Sequence, residues 1–278
     1  MMKRISFLLA TKNRAKFLEK ALKNHQKLLK ENDELILIDG GSSDDTIKVA
    51  KKFSKIISVF ISEADISEGH AFNKGILLSS GKYIKILSDD DIFFSQAIEN
   101  AYTIMEKNPD IDVLLCGGVK LRGKDLSFAY APPGVDYGKK VSDVFKYGGC
   151  GLGLLIRKKS FALTGLFNPY SFSLDNDYIT QAINSGANVK FCRIKMFHHF
   201  LEDHSGSIKQ GERLRKDIAR IKNRYNYSDE NFFLNLRVSF SQILFPLLPK
   251  NIQTAYKKIF KLTKSKPKIK PIWDGGFS

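Results

Sequence analysis

Short apolar runs that alternate with amphipathic stretches occupy the first half of the chain, and this alternation limits the fold more than any other feature. Residues 5–10 (Ile-Ser-Phe-Leu-Leu-Ala), 34–38 (Glu-Leu-Ile-Leu-Ile), 56–61 and 82–87 read as strands. Between the first two, Phe17, Leu18, Ala21, Leu22, Leu28 and Leu29 recur near helical spacing. Ser42-Ser43-Asp44-Asp45 supplies N-cap chemistry for a helix over 46–53, and a further helix over 70–79 is closed by Gly81. Strands interleaved with helices predict the α/β class, with a mostly parallel central sheet covered by helices on both faces. A length of 278 residues buries a substantial core in one large domain or two small ones, and 43% hydrophobic residues exclude a disordered effector.

The second half is less regular. A helix over 95–107 stops at Asn108-Pro109, a strand covers 113–116, and 120–151 reads as a loop-rich stretch. A strand over 152–156, a helix over 174–185 closed by Gly186, a strand over 189–192 and a charged helix over 209–225 follow. The N-terminal apolar run is too short for a signal peptide, and no run of about 18 apolar residues offers a membrane span. A cytoplasmic protein, soluble or peripheral on the inner face of the plasma membrane, is expected. Cys116, Cys150 and Cys192 lie far apart with no C-x-x-C spacing, which predicts neither a disulfide framework nor a zinc knuckle and suits a reducing compartment.

Ligands of open α/β sheets bind beyond the carboxyl ends of the strands. Here those ends are polar: Thr11-Lys12-Asn13-Arg14, Asp39-Gly40-Gly41-Ser42, Ser62-Glu63-Ala64-Asp65 and Ser88-Asp89-Asp90-Asp91. Adjacent carboxylates repel unless a cation or donors offset them. Asp89-Asp90-Asp91 therefore suits a hard divalent ion, Mg2+ or Mn2+, which keeps several waters and bridges to phosphates. In the competing reading one Asp caps the helix at 95 and the others face water. The Asp39-Gly40-Gly41 segment lets backbone approach a ligand closely, and it serves equally well as a plain turn.

Taken in order, these segments resemble the inverting family 2 glycosyltransferases of GT-A fold over about residues 5–225. The opening run through Thr11-Lys12-Asn13-Arg14, with Phe17-Leu18, is similar to that family's first strand and Thr-x-Asn-Arg turn. Leu37-Ile38-Asp39-Gly40-Gly41-Ser42-Ser43-Asp44-Asp45-Thr46 resembles its second-strand motif. Ser62-Glu63-Ala64-Asp65, Ala71-Phe72-Asn73-Lys74-Gly75-Ile76 and Gly81-Lys82-Tyr83-Ile84 resemble its donor-side helix and fourth strand. The resemblance implies a Rossmann-like catalytic unit over 1–225, with a nucleotide-binding half over about 1–118 and an acceptor half over about 119–225, followed by a helical extension over 226–278.

The same resemblance implies site residues and partners. A nucleotide-diphosphate sugar donor, expected to be a UDP-sugar, would be bound by Thr11, Asn13, Arg14, Asp39, Asp65, Asn73, Lys74 and Asp89, with Asp39 at the base and Asp89 at the ribose. The residues themselves do not select UDP over GDP or dTDP. Mn2+ or Mg2+ would fall to Asp90, Asp91 and His199, with the register leaving Asp89 or Asp90 as principal ligand. His198 and His204 neighbour that position, and Arg213 or Lys209 would add cationic contacts. Asp175, in Leu174-Asp175-Asn176-Asp177-Tyr178, matches the general base that takes the proton of an acceptor hydroxyl; alternatively it N-caps a helix with Asp177 in the first turn. Gly148-Gly149-Cys150-Gly151 shapes the acceptor pocket or forms a flexible loop. The acceptor would be a glycan or lipid-linked molecule in bacterial surface polysaccharide synthesis.

Charge separates the remaining readings. The net charge is +16, and from Asp203 onward sixteen Lys and Arg face six Asp and Glu. Residues 231–262 are rich in Phe, Leu and Ile, broken by Pro246 and Pro249 and flanked by lysines. Such a basic amphipathic segment either lies on an anionic membrane surface or packs on the catalytic unit with a solvated tail. A nucleic-acid-binding protein is the alternative that net charge suggests, but the acidic strand ends have the wrong sign for a phosphate backbone, and no nucleic-acid partner is expected. A sugar nucleotidyltransferase would share the architecture, yet the Gly-rich, Arg-containing loop it needs after the first strand is absent.

Overall fold

The computed structural model describes residues 3–122, 125–130, 138–200 and 211–227. A first compact unit ends at Tyr225 and a second begins at Asn226. The extension expected over 226–278 therefore lies outside the described residues from 228 onward, as do His204 and Lys209.

Four strands form the first half of the sheet: β1 (Lys3–Thr11), β2 (Glu34–Asp39), β3 (Val59–Ser62) and β4 (Gly81–Leu87). They lie in the order β3-β2-β1-β4 and all pair in parallel. Side chains alternate between the faces of each strand. Phe7 and Leu9 enter one core with α1 (Ala15–His25), α2 (Thr46–Lys52) and α4 (Ser95–Lys107), while Leu8 enters another with α3 (Glu68–Leu78). All six residues of β2 are buried. With helices on both sides, a strand must be apolar on both faces, which is why these runs are nearly continuous in Leu and Ile.

The sheet continues through β8 (Leu154–Arg157), β6 (Val113–Arg122), β9 (Val189–Phe200) and β5 (Ile92–Phe93), with β7 (Asp125–Tyr130) on the flank of β6. Helices α5 (Val141–Tyr147), α6 (Phe161–Thr164), α7 (Leu174–Asn184) and α8 (Gly211–Arg224) complete the described elements. β8 runs antiparallel to both β4 and β6, and β9 is parallel to β6. Parallel pairing is thus concentrated in the first half, and β6 and β9 still end at the same edge as β4.

Among the described residues of 120–151 there is more regular structure than the sequence suggests: the end of β6, β7 and α5. The strand expected over 189–192 extends to Phe200, and the pairing with β6 crosses register shifts on either side of Gly117. Gly118 permits this, because a Cβ there would stand 2.3 Å from the Phe197 ring. The third strand begins at Val59 rather than Ile56, since Ile56 and Ile57 pack on the core from the preceding turn.

Candidate active site

Pairing in parallel register sets Thr11 beside Asp39 and Asp39 beside Ser62, so the ends of β1, β2 and β3 meet at one place. Asp39 has no exposed surface. Its carboxylate accepts from the Ser42 N–H at 3.0 Å, from the Ser62 hydroxyl at 2.7 Å and from the Ser42 hydroxyl. Asp39, expected at a nucleotide base, organises the turn after β2. The carboxylate presented at this point is instead that of Asp65, packed over Gly40 so closely that a Cβ there would lie 2.5 Å from Asp65 Oδ2. Asn13, with φ of 53°, accepts from the Ser43 N–H at 2.8 Å and ties the loop after β1 to the loop after β2.

The end of β4 carries the densest charge. Arg14 Nε donates to both Asp89 oxygens at 2.8 Å, and Arg14 Nη2 donates to Asp90 Oδ2 at 2.9 Å. Thr11 adds a hydroxyl to Asp89 at 3.1 Å. Asp89 is buried, whereas the Asp90 side chain keeps 42% of its surface open. Partial burial, then the charges of Asp91 and Asp89, raise the Asp90 pKa against the opposing pull of Arg14 and His199. Asp91, expected as a metal ligand, also anchors the strand end: Oδ1 accepts from the Phe200 N–H at 2.9 Å and meets His199 Nδ1 at 3.1 Å, and Oδ2 accepts from the Ser88 hydroxyl at 2.6 Å. Antiparallel pairing of β5 with β9 brings this about by setting Ile92 beside His198. Asp91 thereby orients His199.

Across the edge, Asp175 lies in the first turn of α7, where the N-cap position is Ser173 rather than Asp175. Asp175 accepts from the Asn176 N–H at 2.8 Å and from the Gly151 N–H at 3.2 Å. Burial outweighs these bonds and raises its pKa. Glu68, in the first turn of α3, joins the two sides electrostatically. Desolvation by the surrounding protein, then the charges of Asp175, Asp89, Asp90 and Asp65, push its pKa up to about 7, although the residue as a whole is exposed.

Several expected contacts are spent inside the protein. Asn73 forms a pair of hydrogen bonds with the Phe167 backbone at 2.8 and 3.0 Å, so its amide holds a loop. Lys74 pairs with Glu63 at 2.9 Å and donates to the Ala64 carbonyl. His198 stands edge-on to Phe94, and Arg213 stacks on Phe172. Three residues that sequence reasoning missed bear on the site. His25, buried in α1, donates from Nε2 to the Ser88 carbonyl at 2.8 Å. Asp217 of α8 accepts from the Ser171 hydroxyl and the Phe172 and Ser173 N–H groups, fixing the approach to α7. Glu68 is the third. No local pattern marks them; each matters through a partner distant in sequence.

The sequence signature described as Glycosyl transferase family 2 matches residues 6–147, just over half of the chain. The chain belongs to glycosyl transferase family 2. An uncharacterised glycosyltransferase of Rickettsia typhi is 29% identical over 182 residues, which cover 63% of this chain and 56% of the relative. The chain thus spans little more than half the length of that relative. Two solved structures share the fold. One is the mannosyltransferase PcManGT of Pyrobaculum calidifontis in complex with GDP-Man and Mn2+, with a TM-score of 0.63, 13% identity and coverage of 96% of this chain and 77% of that one. The other is residues 1–349 of S. aureus TarS in complex with UDP-GlcNAc, with a TM-score of 0.62, 14% identity and coverage of 86% and 73%. The family 2 chain described here has the GT-A fold.

Proposed function

We propose that this protein transfers a sugar, with inversion, from a nucleoside-diphosphate sugar to a hydroxyl of a glycan or lipid-linked acceptor in bacterial surface polysaccharide synthesis. The observation that supports the reading is that Asp65, Asp89, Asp90 and Asp175, which come from different elements, all act electrostatically on Glu68, as expected if the two sides of a displacement share one edge. Asp65, the Gly40 backbone and the Thr11–Asn13 loop receive the nucleotide. Asp89, fixed by Thr11 and Arg14, meets the ribose. The acceptor oxygen attacks the anomeric carbon, the bond from that carbon to the diphosphate breaks, and Asp175 takes the acceptor proton. A base held above the usual carboxylate range is better matched to that proton.

The donors at this edge suit a divalent ion. Among the described residues, no group of three or more His, Cys, Asp and Glu side chains could hold a metal unaided. Asp90 keeps an oxygen that Arg14 does not use, and His199 turns Nδ1 to Asp91, leaving Nε2 without an internal partner among the described residues. Asp90 would hold the ion as a hard oxygen donor alongside substrate phosphate oxygens and water, the donor set that suits Mg2+ and Mn2+, and His199 would be a further, softer donor. When bound, the ion would offset charge developing on the leaving diphosphate. PcManGT and TarS are complexed with GDP-Man and UDP-GlcNAc respectively, so the diphosphate is the shared chemistry; a UDP-sugar is the donor proposed here. The acidic edge also speaks against a nucleic-acid partner.

The test is a panel of nucleotide sugars offered to the purified protein with Mn2+ and candidate glycan acceptors. Release of nucleoside diphosphate with one donor, and a product whose anomeric configuration by NMR is opposite to the donor's, is the expected result. Retention of configuration would contradict the single displacement.

A further inference from the structure

We propose that Cys116 and Cys192 form a reversible intramolecular disulfide, a redox modification site at the root of the strand pair that carries His199 to Asp91. The two residues are 76 positions apart in sequence, face each other in register across the parallel β6–β9 pair, and hold their Sγ atoms 3.2 Å apart. Neighbouring strands lie about 4.8 Å apart, within the Cα separation of about 4.4–6.8 Å that a disulfide spans. Closing the bond, to about 2.05 Å, therefore asks for a side-chain movement of about 1 Å and no change of register. Cys150 makes no such contact among the described residues.

The two thiols differ as thiol–disulfide exchange requires. Cys192 is only half-buried, and the hydrogen bond from Cys116 lowers its pKa. Cys116 is buried, and burial raises its pKa well above that of an ordinary thiol. Lys85 acts on Cys116 in the opposite sense. It is wholly buried in β4, with Nζ on the carbonyls of Ile86 at 2.9 Å and Leu152 at 2.5 Å. With a small-molecule disulfide as oxidant, the Cys192 thiolate attacks one of its sulfurs and releases one small thiolate. Cys116 then loses its proton and attacks Cys192 Sγ in the mixed disulfide, expelling the second. Two protein thiols are oxidised, one small disulfide is reduced to two thiols, and the protons of the former end on the latter.

The position matters because the strands change register immediately beyond it: Cys116 faces Cys192, but Gly117 faces Lys195 and Lys120 faces His199. A covalent bond there fixes the strands on the near side of the irregularity, beyond which Lys120 pairs with His199.

Full-length protein is incubated with glutathione disulfide, and its free thiols are counted after denaturation. The count is expected to fall from three to one and to return to three with dithiothreitol, with non-reducing peptide mapping joining the Cys116 and Cys192 peptides of a single chain. Cys150→Ser should fall from two thiols to none, and Cys192→Ser should keep both of its two. The mapping of the wild-type protein decides the matter even where a variant folds poorly. Retention of all three thiols, a crosslink involving Cys150, or a bond between two chains would overturn the proposal.

Discussion

Arg14 holds Asp89 and Asp90 at once, and its guanidinium also stacks on Phe17 at 4.2 Å. Under the proposed function Arg14 competes with the divalent ion for Asp90, because both are satisfied by the same charge. A hydrogen bond to a charged group is worth about 1.5 kcal/mol net, so Arg14→Met should tighten Mn2+ binding on the order of tenfold by calorimetric titration; an unchanged or weaker affinity would count against Asp90 as a ligand. Glu68 makes a second prediction at this scale. Its folded pKa of about 7 exceeds the ordinary value of 4.5, so between these pH values the folded state holds more protons than the unfolded state. Stability therefore falls as pH rises through that window. Denaturation midpoints measured in chelator across pH 4.5–7 should show this loss in the wild type and a smaller one in Glu68→Gln.

Elements are joined by buried polar side chains as well as by apolar faces. Arg157, at the end of β8, donates to the carbonyls of Ile111, Met105 and Asn108 and to the Tyr83 hydroxyl, stapling the end of α4 to the sheet. Arg157→Leu leaves these acceptors buried and unmet, and the cost should be about 2–4 kcal/mol in urea denaturation; a loss under 0.5 kcal/mol would show that the staple is dispensable. The strands and helices of the first half were legible because each carries its own period: β2 is apolar throughout, and α4 is bounded as its sequence predicts, from Ser95 to Lys107. β7 and the extension of β6 past Cys116 were not, because they exist through pairing with distant segments and through the fit of Gly118 under Phe197. The site divides along the same line. Asp90 and Asp175 stand out in runs of like residues, whereas His25 and Asp217 look like ordinary helical residues until the fold supplies Ser88 and the 171–173 segment as their partners.

At the scale of the whole molecule, a chain of net charge +16 gathers carboxylates at one edge of its sheet. Keeping them ionised together favours a cation, and their joint action on Glu68 agrees with the proposed function, in which one group steadies a leaving diphosphate while another receives a proton. No helix among the described residues is long and apolar enough to cross a membrane. Under the proposed function, two carboxylates with separable duties act on one bound donor. Calorimetric titration of a UDP-sugar with and without Mn2+, set beside turnover, tests this in wild type, Asp90→Ala and Asp175→Asn. Asp90→Ala should lose the Mn2+-dependent part of donor binding, and Asp175→Asn should bind the donor as the wild type does while turnover falls by about 10²–10⁴. Full turnover by Asp175→Asn, or Mn2+-dependent binding undiminished in Asp90→Ala, would contradict it.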